Sequence, residues 1–271
     1  MQDGKIELSK NDITTNLPYD PRVSLAFDHH ESEVDRLKAI ETGGKLIIDP
    51  KARSAARVVY DYYGGKEAFP RISEDLMAAV DKGDSADFTM DEILDPKGWV
   101  LLHYLMDART GLGRFHHFRI SNYDLMMQLI DYCLDHDIDE ILELPDVKER
   151  VELYFEQAEQ FKAQLRRIAR VHDKVVVLDL RKEEVIHAGN RFMIYALYPE
   201  TEISVHVAWG FRKQNTAVMI GKSIVNKASQ VDIGELCLQY GGGGHRNAGT
   251  CQMDNDVVDE KLPDIIRALN G

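Results

Sequence analysis

The sequence predicts an α/β protein in three parts: a parallel-sheet domain over 1–146, a connecting helix over 147–172, and a smaller mixed-sheet α/β domain over 173–271. Three observations predict it. In the first half, short apolar runs alternate with stretches of helical period, as strands joined by crossover helices do. From Val147 to Ala169 one amphipathic pattern continues with no internal Gly or Pro. Beyond Lys174, short strand-like runs follow one another before helical spacing resumes.

Taken in order, Ile13-Thr14-Thr15 is a short strand ending at Asn16. Val23 to Phe27 is an apolar run with a β-branched start, and it ends abruptly in Asp28-His29-His30. Leu46 to Ile48 is closed by Asp49 and Pro50. Helical spacing covers Ala52 to Tyr63, Ser73 to Val80, Trp99 to Asp107 and Tyr123 to Leu134. In the long segment Val147, Val151, Tyr154, Phe155, Ala158, Phe161, Leu165 and Ile168 recur every three or four residues, so one helix of about six turns is expected. Strands are then expected at Val175 to Leu180, Phe192 to Leu197, Ile203 to Val207 and Ala217 to Ile220, and helices at Val231 to Tyr240 and Glu260 to Leu269.

Composition excludes several classes. With 44% apolar and 29% charged residues the chain is an ordinary globular protein. No apolar run reaches the roughly 18 residues of a membrane span. Met1 to Lys10 lacks a signal-peptide core. Cys133, Cys237 and Cys251 have no ligand-type spacing and read as reduced thiols of a cytoplasmic protein. A net charge of -13 argues against a broad duplex-binding surface. A phosphate-bearing ligand can still bind in a confined pocket where metal ions supply positive charge.

Two constellations carry chemistry. Asp28-His29-His30 stands at a strand end, where open α/β sheets collect ligands. A carboxylate with imidazoles suits a divalent metal of intermediate hardness such as manganese. Gly241-Gly242-Gly243-Gly244-His245, then Arg246, Asn247, Ala248 and Gly249, reads as a loop whose backbone must approach a ligand or take positive φ. Its N–H groups can form an anion nest. His103, His116, His117 and His187 read as structural, and Arg109 to Arg114 as a basic, Gly-containing loop able to face the cleft.

Together, the Asp-His-His motif, the long helix and the Gly-Gly-Gly-His motif resemble the DHH phosphoesterase superfamily with its DHH-associated C-terminal domain. The likeness is nearest to the exopolyphosphatase-like branch, through Phe27 to His30, Gly221-Lys222-Ser223 and Tyr240 to Cys251. The resemblance implies a hydrolase of phosphodiester or phosphoanhydride bonds with two manganese ions (magnesium or cobalt as substitutes) and a substrate cleft shared with the C-terminal domain. The superfamily's substrates include polyphosphate, short single-stranded oligonucleotides, cyclic dinucleotides and nucleoside bisphosphates. The resemblance makes His29 a metal ligand, with Asp28 ligating or shaping the site and His30 supporting it. A downstream carboxylate, Asp81 or Asp84, completes it. Lys222, Ser223, Gly242, Gly243, Gly244 and His245 are the expected substrate contacts.

Two departures stand out. The candidates here for the family's bridging carboxylate are Asp12 and Asn16; Asn16 fits the strand end better, and an amide bridges cations poorly. The family's first strand and Asp-x-Asp motif would precede Met1, so the chain reads as N-terminally incomplete, with weak manganese binding and slow or absent hydrolysis expected. A non-catalytic phosphate-ligand or nucleic-acid binding protein is the alternative. A homodimer is left open.

Overall fold

The computed structural model describes residues 7–38, 42–115 and 117–271. The start of the polar N-terminal stretch and His116 lie outside the described residues. The chain divides into two units, Met1–Asp87 and Phe88–Gly271. Their content is the predicted α/β class, with a three-stranded parallel sheet and a six-stranded mixed sheet.

The first unit comprises β1 (Ile13–Thr15), β2 (Leu25–Asp28), α1 (Glu31–Leu37), β3 (Leu46–Ile48), α2 (Ala55–Tyr62) and α3 (Glu74–Ser85). The strands lie in the order β1-β2-β3 and all run parallel. Ala26 and Phe27 are buried, and Ala26 clusters with Tyr19, Val23 and Leu37. The Tyr62 ring meets Phe27 edge-on at 5.2 Å and so ties α2 to β2. Ser54 and Ser73 start α2 and α3 by accepting the N–H of Arg57 and Leu76, satisfying donors the helix leaves orphaned. Parallel pairing brings the strand ends to one edge: the Asn16 N–H donates to Phe27 O (2.9 Å) and the Asp49 N–H to Asp28 O (3.2 Å).

The second unit begins with α4 (Met90–Leu94), α5 (Gly98–Met106), α6 (Asn122–Asp135), α7 (Ile138–Leu142) and α8 (Pro145–Ile168). The predicted long helix is present as α8, with 24 residues and proline in its first turn, where no N–H is missed. Its inward side includes Val147, Leu153, Tyr154 and Leu165, but also a fully buried Arg150. That guanidinium donates to Asn122 Oδ1 and Ile120 O, both at 2.7 Å, pairs with Glu149, and lies 4.1 Å over the Phe118 ring. Burial of a charge is tolerated because its donors are satisfied. Phe155, expected on the inward stripe, is 46% exposed.

The remaining elements are β4 (Ala169–His172), β5 (Val175–Asp179), α9 (Met193–Leu197), β6 (Ile203–Trp209), β7 (Thr216–Lys222), α10 (Ile233–Gln239), β8 (Gly243–His245), β9 (Ala248–Met253) and α11 (Val258–Asn270). Strand order is β4-β5-β6-β7-β9-β8, parallel at β5–β6 and antiparallel elsewhere. Residues alternate across the sheet. Val175, Val177, Ile203, Val205, Val207, Val218 and Ile220 face one core with Ile233, Leu236, Ile265 and Leu269 of α10 and α11. Among the described residues no helix is long and apolar enough to cross a membrane.

Two expectations are corrected. Phe192 to Leu197 is helical, not a strand. Asn190 starts the turn by accepting the Phe192 N–H at 2.9 Å while its own amide donates to Ile93 O. Met193, Ile194 and Tyr195 are all buried, so the run carries no period to read. The glycine stretch is not a loop throughout: Gly243 to His245 forms β8, paired with β9.

Candidate functional site

In the first unit the strand-end motif is organised by Asp28. This residue is 2% exposed, and its Oδ1 accepts the N–H of His29 (2.7 Å) and of His30 (3.2 Å) and contacts His30 Nδ1 at 2.8 Å. Burial alone would raise the Asp28 pKa. The His30 ring and the two backbone donors outweigh it, and the carboxyl sits below its ordinary range. The same bond raises the His30 imidazole against the effect of burial.

His29 is turned away from Asp28. Its Nδ1 lies 3.2 Å from Ala52 O, which only accepts, so Nδ1 carries the proton. Nε2 is buried and lies 3.2 Å from Asp84 Oδ2, within ion-pair distance when the ring is charged. Asp84 is held there by the Ala55 N–H at the start of α2, 3.3 Å away. Adjacent donors on an octahedral ion with bonds near 2.1 Å lie about 3 Å apart. His29 Nε2 and Asp84 Oδ2 could together hold a divalent ion, with Ala52 O fixing the ring.

The other expected ligands are placed differently. Asp81, three residues before Asp84 on α3, accepts from Ser54 Oγ (2.7 Å) and from Arg57 Nη2 (2.6 Å). Its charge is already compensated. Asp87 pairs with Arg53. Asn16 follows β1 in left-handed conformation (φ 58°) and is exposed beside the β2 end. Among the described residues no three His, Cys, Asp or Glu side chains converge as a ligand cluster. For a manganese ion held by His29 and Asp84, the expected result of Asp84→Asn is a loss of affinity of at least about 10-fold, whereas Asp81→Asn leaves affinity within about twofold and costs roughly 1–3 kcal/mol of stability. Calorimetric titration with manganese and a thermal melt check both. An equal loss of affinity in the two variants would reject the assignment of Asp84.

In the second unit a cavity of ≈ 600 Å³ opens on the sheet face opposite the α10–α11 core. Its floor is Leu178, Ser204, His206, Ala208, Met219 and Gly221. Arg109, Arg114 and Arg191 line it too, and Gly243 and Gly244 of β8 reach it. Buried Asp107 holds two of the arginines, Arg109 Nε at 2.7 Å and Arg191 Nε at 3.3 Å. Burial would raise Asp107, but its bonds from Arg109 prevail and the carboxyl stays low. Arg114 is pinned by Ile186 O and His187 O. His206 is pushed down to about 4, first by burial and then by Arg191, so at neutral pH it presents an uncharged ring. Tyr195 Oη shares a 2.7 Å bond with Ser204 Oγ.

The glycine hairpin is seated by backbone packing. Gly241 N–H and Gly242 N–H bond Leu238 O and Cys237 O, closing α10, with Gly241 at φ 71°. A Cβ at Gly242 would lie 2.2 Å from Thr250 O, and one at Gly234 of α10 would lie 2.9 Å from the Gly244 carbonyl. Of the other expected contacts, Lys222 Nζ donates to Ser229 O at 3.2 Å, and its pKa is lowered by burial and then by Arg246. Ser223 is buried, and its Oγ accepts from Val225 N and Asn226 N. His245 is exposed at the hairpin end. Lys222, Ser223, Gly242 and His245 do not line the cavity. Sequence reasoning missed Arg191 and His206, and it read His187, a lining residue, as structural. The alternation of Ser204, His206 and Ala208 against Ile203, Val205 and Val207 was the signal for His206.

No family model matches the sequence. No curated protein matches it. Among solved structures, the pGpG-specific phosphodiesterase PggH from Vibrio cholerae is 54% identical, over 99% of this chain and 87% of that one, with a TM-score of 0.78. An exopolyphosphatase-related protein from Bacteroides fragilis (15% identity, 91% and 65% coverage, TM-score 0.46) is far more distant. So is the DHH domain of a member of a ribosomal-protein family (14%, 92% and 68%, 0.45). With Asp28-His29-His30 at the end of β2, the glycine hairpin after α10 and a phosphodiesterase relative spanning nearly its full length, the chain belongs to the DHH phosphoesterase superfamily.

Proposed function

We propose that this protein is a metal-dependent phosphodiesterase that hydrolyses a short linear dinucleotide of the pGpG type. The cavity of the second unit carries the reading. Its volume suits one small ligand, and three arginines give it the opposite sign to the chain's net charge of -13. The 54% identity to a pGpG-specific phosphodiesterase supports the same substrate class. Guanidinium groups match both phosphoryl oxygens and the O6/N7 edge of guanine, which assigns Arg109 and Arg191 to ligand recognition. Neutral His206 adds one donor and one acceptor.

In the first unit His29 and Asp84 would hold the ion, manganese by preference and magnesium or cobalt in its place. A bound ion supplies Lewis acidity and neutralises phosphoryl charge. Asp28 fixes the backbone that presents His29, and the Arg57 clamp on Asp81 steadies the start of α2. The free cysteines suit a reducing cytoplasm.

A second reading, a phosphate-ligand binder without turnover, is favoured by the lack of a third converging ligand among the described residues. One assay separates them. With manganese present, pGpG, a single-stranded pentanucleotide, polyphosphate and adenosine bisphosphate are incubated with the protein and resolved by chromatography. The expected result is conversion of pGpG and water to two pG, with kcat/KM at least about 10-fold above the others. Preference for polyphosphate or the pentanucleotide would overturn the substrate. Saturable pGpG binding without product would establish the second reading.

A further inference from the structure

The outer face of α6 has no role in either site. Leu125 and Leu129 bury its inner side. On the opposite side Tyr123 (71% exposed), Met127 (49%), Ile130 (60%) and half-buried Leu134 fall at i, i+4, i+7 and i+11. At 3.6 residues per turn these four occupy about 60° of arc. Asp124, Asp131 and Asp135 form a parallel row along one flank. From Ile120 to Val147 the sequence contains neither Lys nor Arg.

A continuous apolar stripe on a soluble surface marks a contact site, and methionine in it accommodates varied side chains. The flanking charge selects the occupant. A second α6 laid antiparallel would set the acidic row against its own like, and laid parallel would set it against Met126 and Cys133. Neither arrangement brings a cation. We propose that this face docks an amphipathic helix of another protein, one with leucine-like residues at helical spacing and Lys or Arg along its flank.

The test is fluorescence anisotropy of the full chain with a labelled 18-residue helical peptide of leucine and lysine, and with its leucine–glutamate analogue. Saturable binding of the lysine peptide only is expected. Met127→Ser/Ile130→Ser should weaken it at least tenfold by removing apolar contact, and Asp131→Asn should weaken it severalfold by removing charge. All three positions are outside the sites described, so the melting temperature and hydrolysis should be unchanged. Failure of the lysine peptide to saturate would reject the proposal. So would undiminished binding to the serine variant, which would mean charge alone acts. A dimer in sedimentation velocity that the serine variant dissociates would also overturn it, making a second copy the occupant.

Discussion

Replacing His29 by alanine is expected to lower phosphodiester hydrolysis by at least about 100-fold. The argument rests on its two ring nitrogens. Nδ1 is tied to Ala52 O, and Nε2 is buried and 3.2 Å from the Asp84 carboxylate. Both nitrogens are thus committed to oriented polar contacts, the second of them beside a carboxylate that could share an ion with it. The substitution also removes a mostly buried ring packed on His30, so activity is compared only in a variant shown to stay folded. Measured kcat with manganese, alongside a thermal melt, gives the answer. A variant that stays folded and keeps more than a tenth of the activity would show that the ion is held elsewhere. Ligand binding in the second unit should survive, since none of the cavity's lining residues depends on His29.

Gly242→Ala is expected to cost about 2–4 kcal/mol, lowering the melting temperature by about 5–15 °C. Its Cβ would lie 2.2 Å from Thr250 O and 2.8 Å from Cys251 Cα. Both are backbone atoms of β9, which is paired to β7 and β8 and cannot yield to one without straining the other. Gly243→Ala is the internal control. Its Cβ would meet nothing within 4 Å, so the fold should tolerate it. Gly243 also lines the cavity, so that variant should lose ligand affinity at unchanged stability. Differential scanning calorimetry of the pair checks this. Equal melting temperatures would refute the packing account of the glycine run.

The parts of the fold legible in the sequence were those with local causes. Val23 to Phe27 and Leu46 to Ile48 read as strands because buried parallel strands are uniformly apolar. α2 and α3 follow from their helical spacing, and α8 announces itself by long, unbroken spacing. What remained hidden had distant causes. Arg150 is buried because Asn122 and Ile120, nearly thirty residues away, satisfy it. The β8 glycines have no side chains to alternate, so no strand period exists to be read. Asp81 and Asp84 are equivalent in composition, and only the placement of Arg57 and Ala55 separates them. The cavity adds Arg191 to the Arg109 to Arg114 loop, and no motif links that distant position to it.

The hairpin that meets the cavity offers its ligand only main chain at Gly243 and Gly244. An element made of backbone sees every phosphoryl group alike and carries no vocabulary for telling one substrate from another. Discrimination must therefore be written in the side chains that line the same cavity, among them Arg109, Arg191 and His206. Under the proposed function, retargeting to a different dinucleotide is a problem of rewriting those three letters while leaving the glycines untouched.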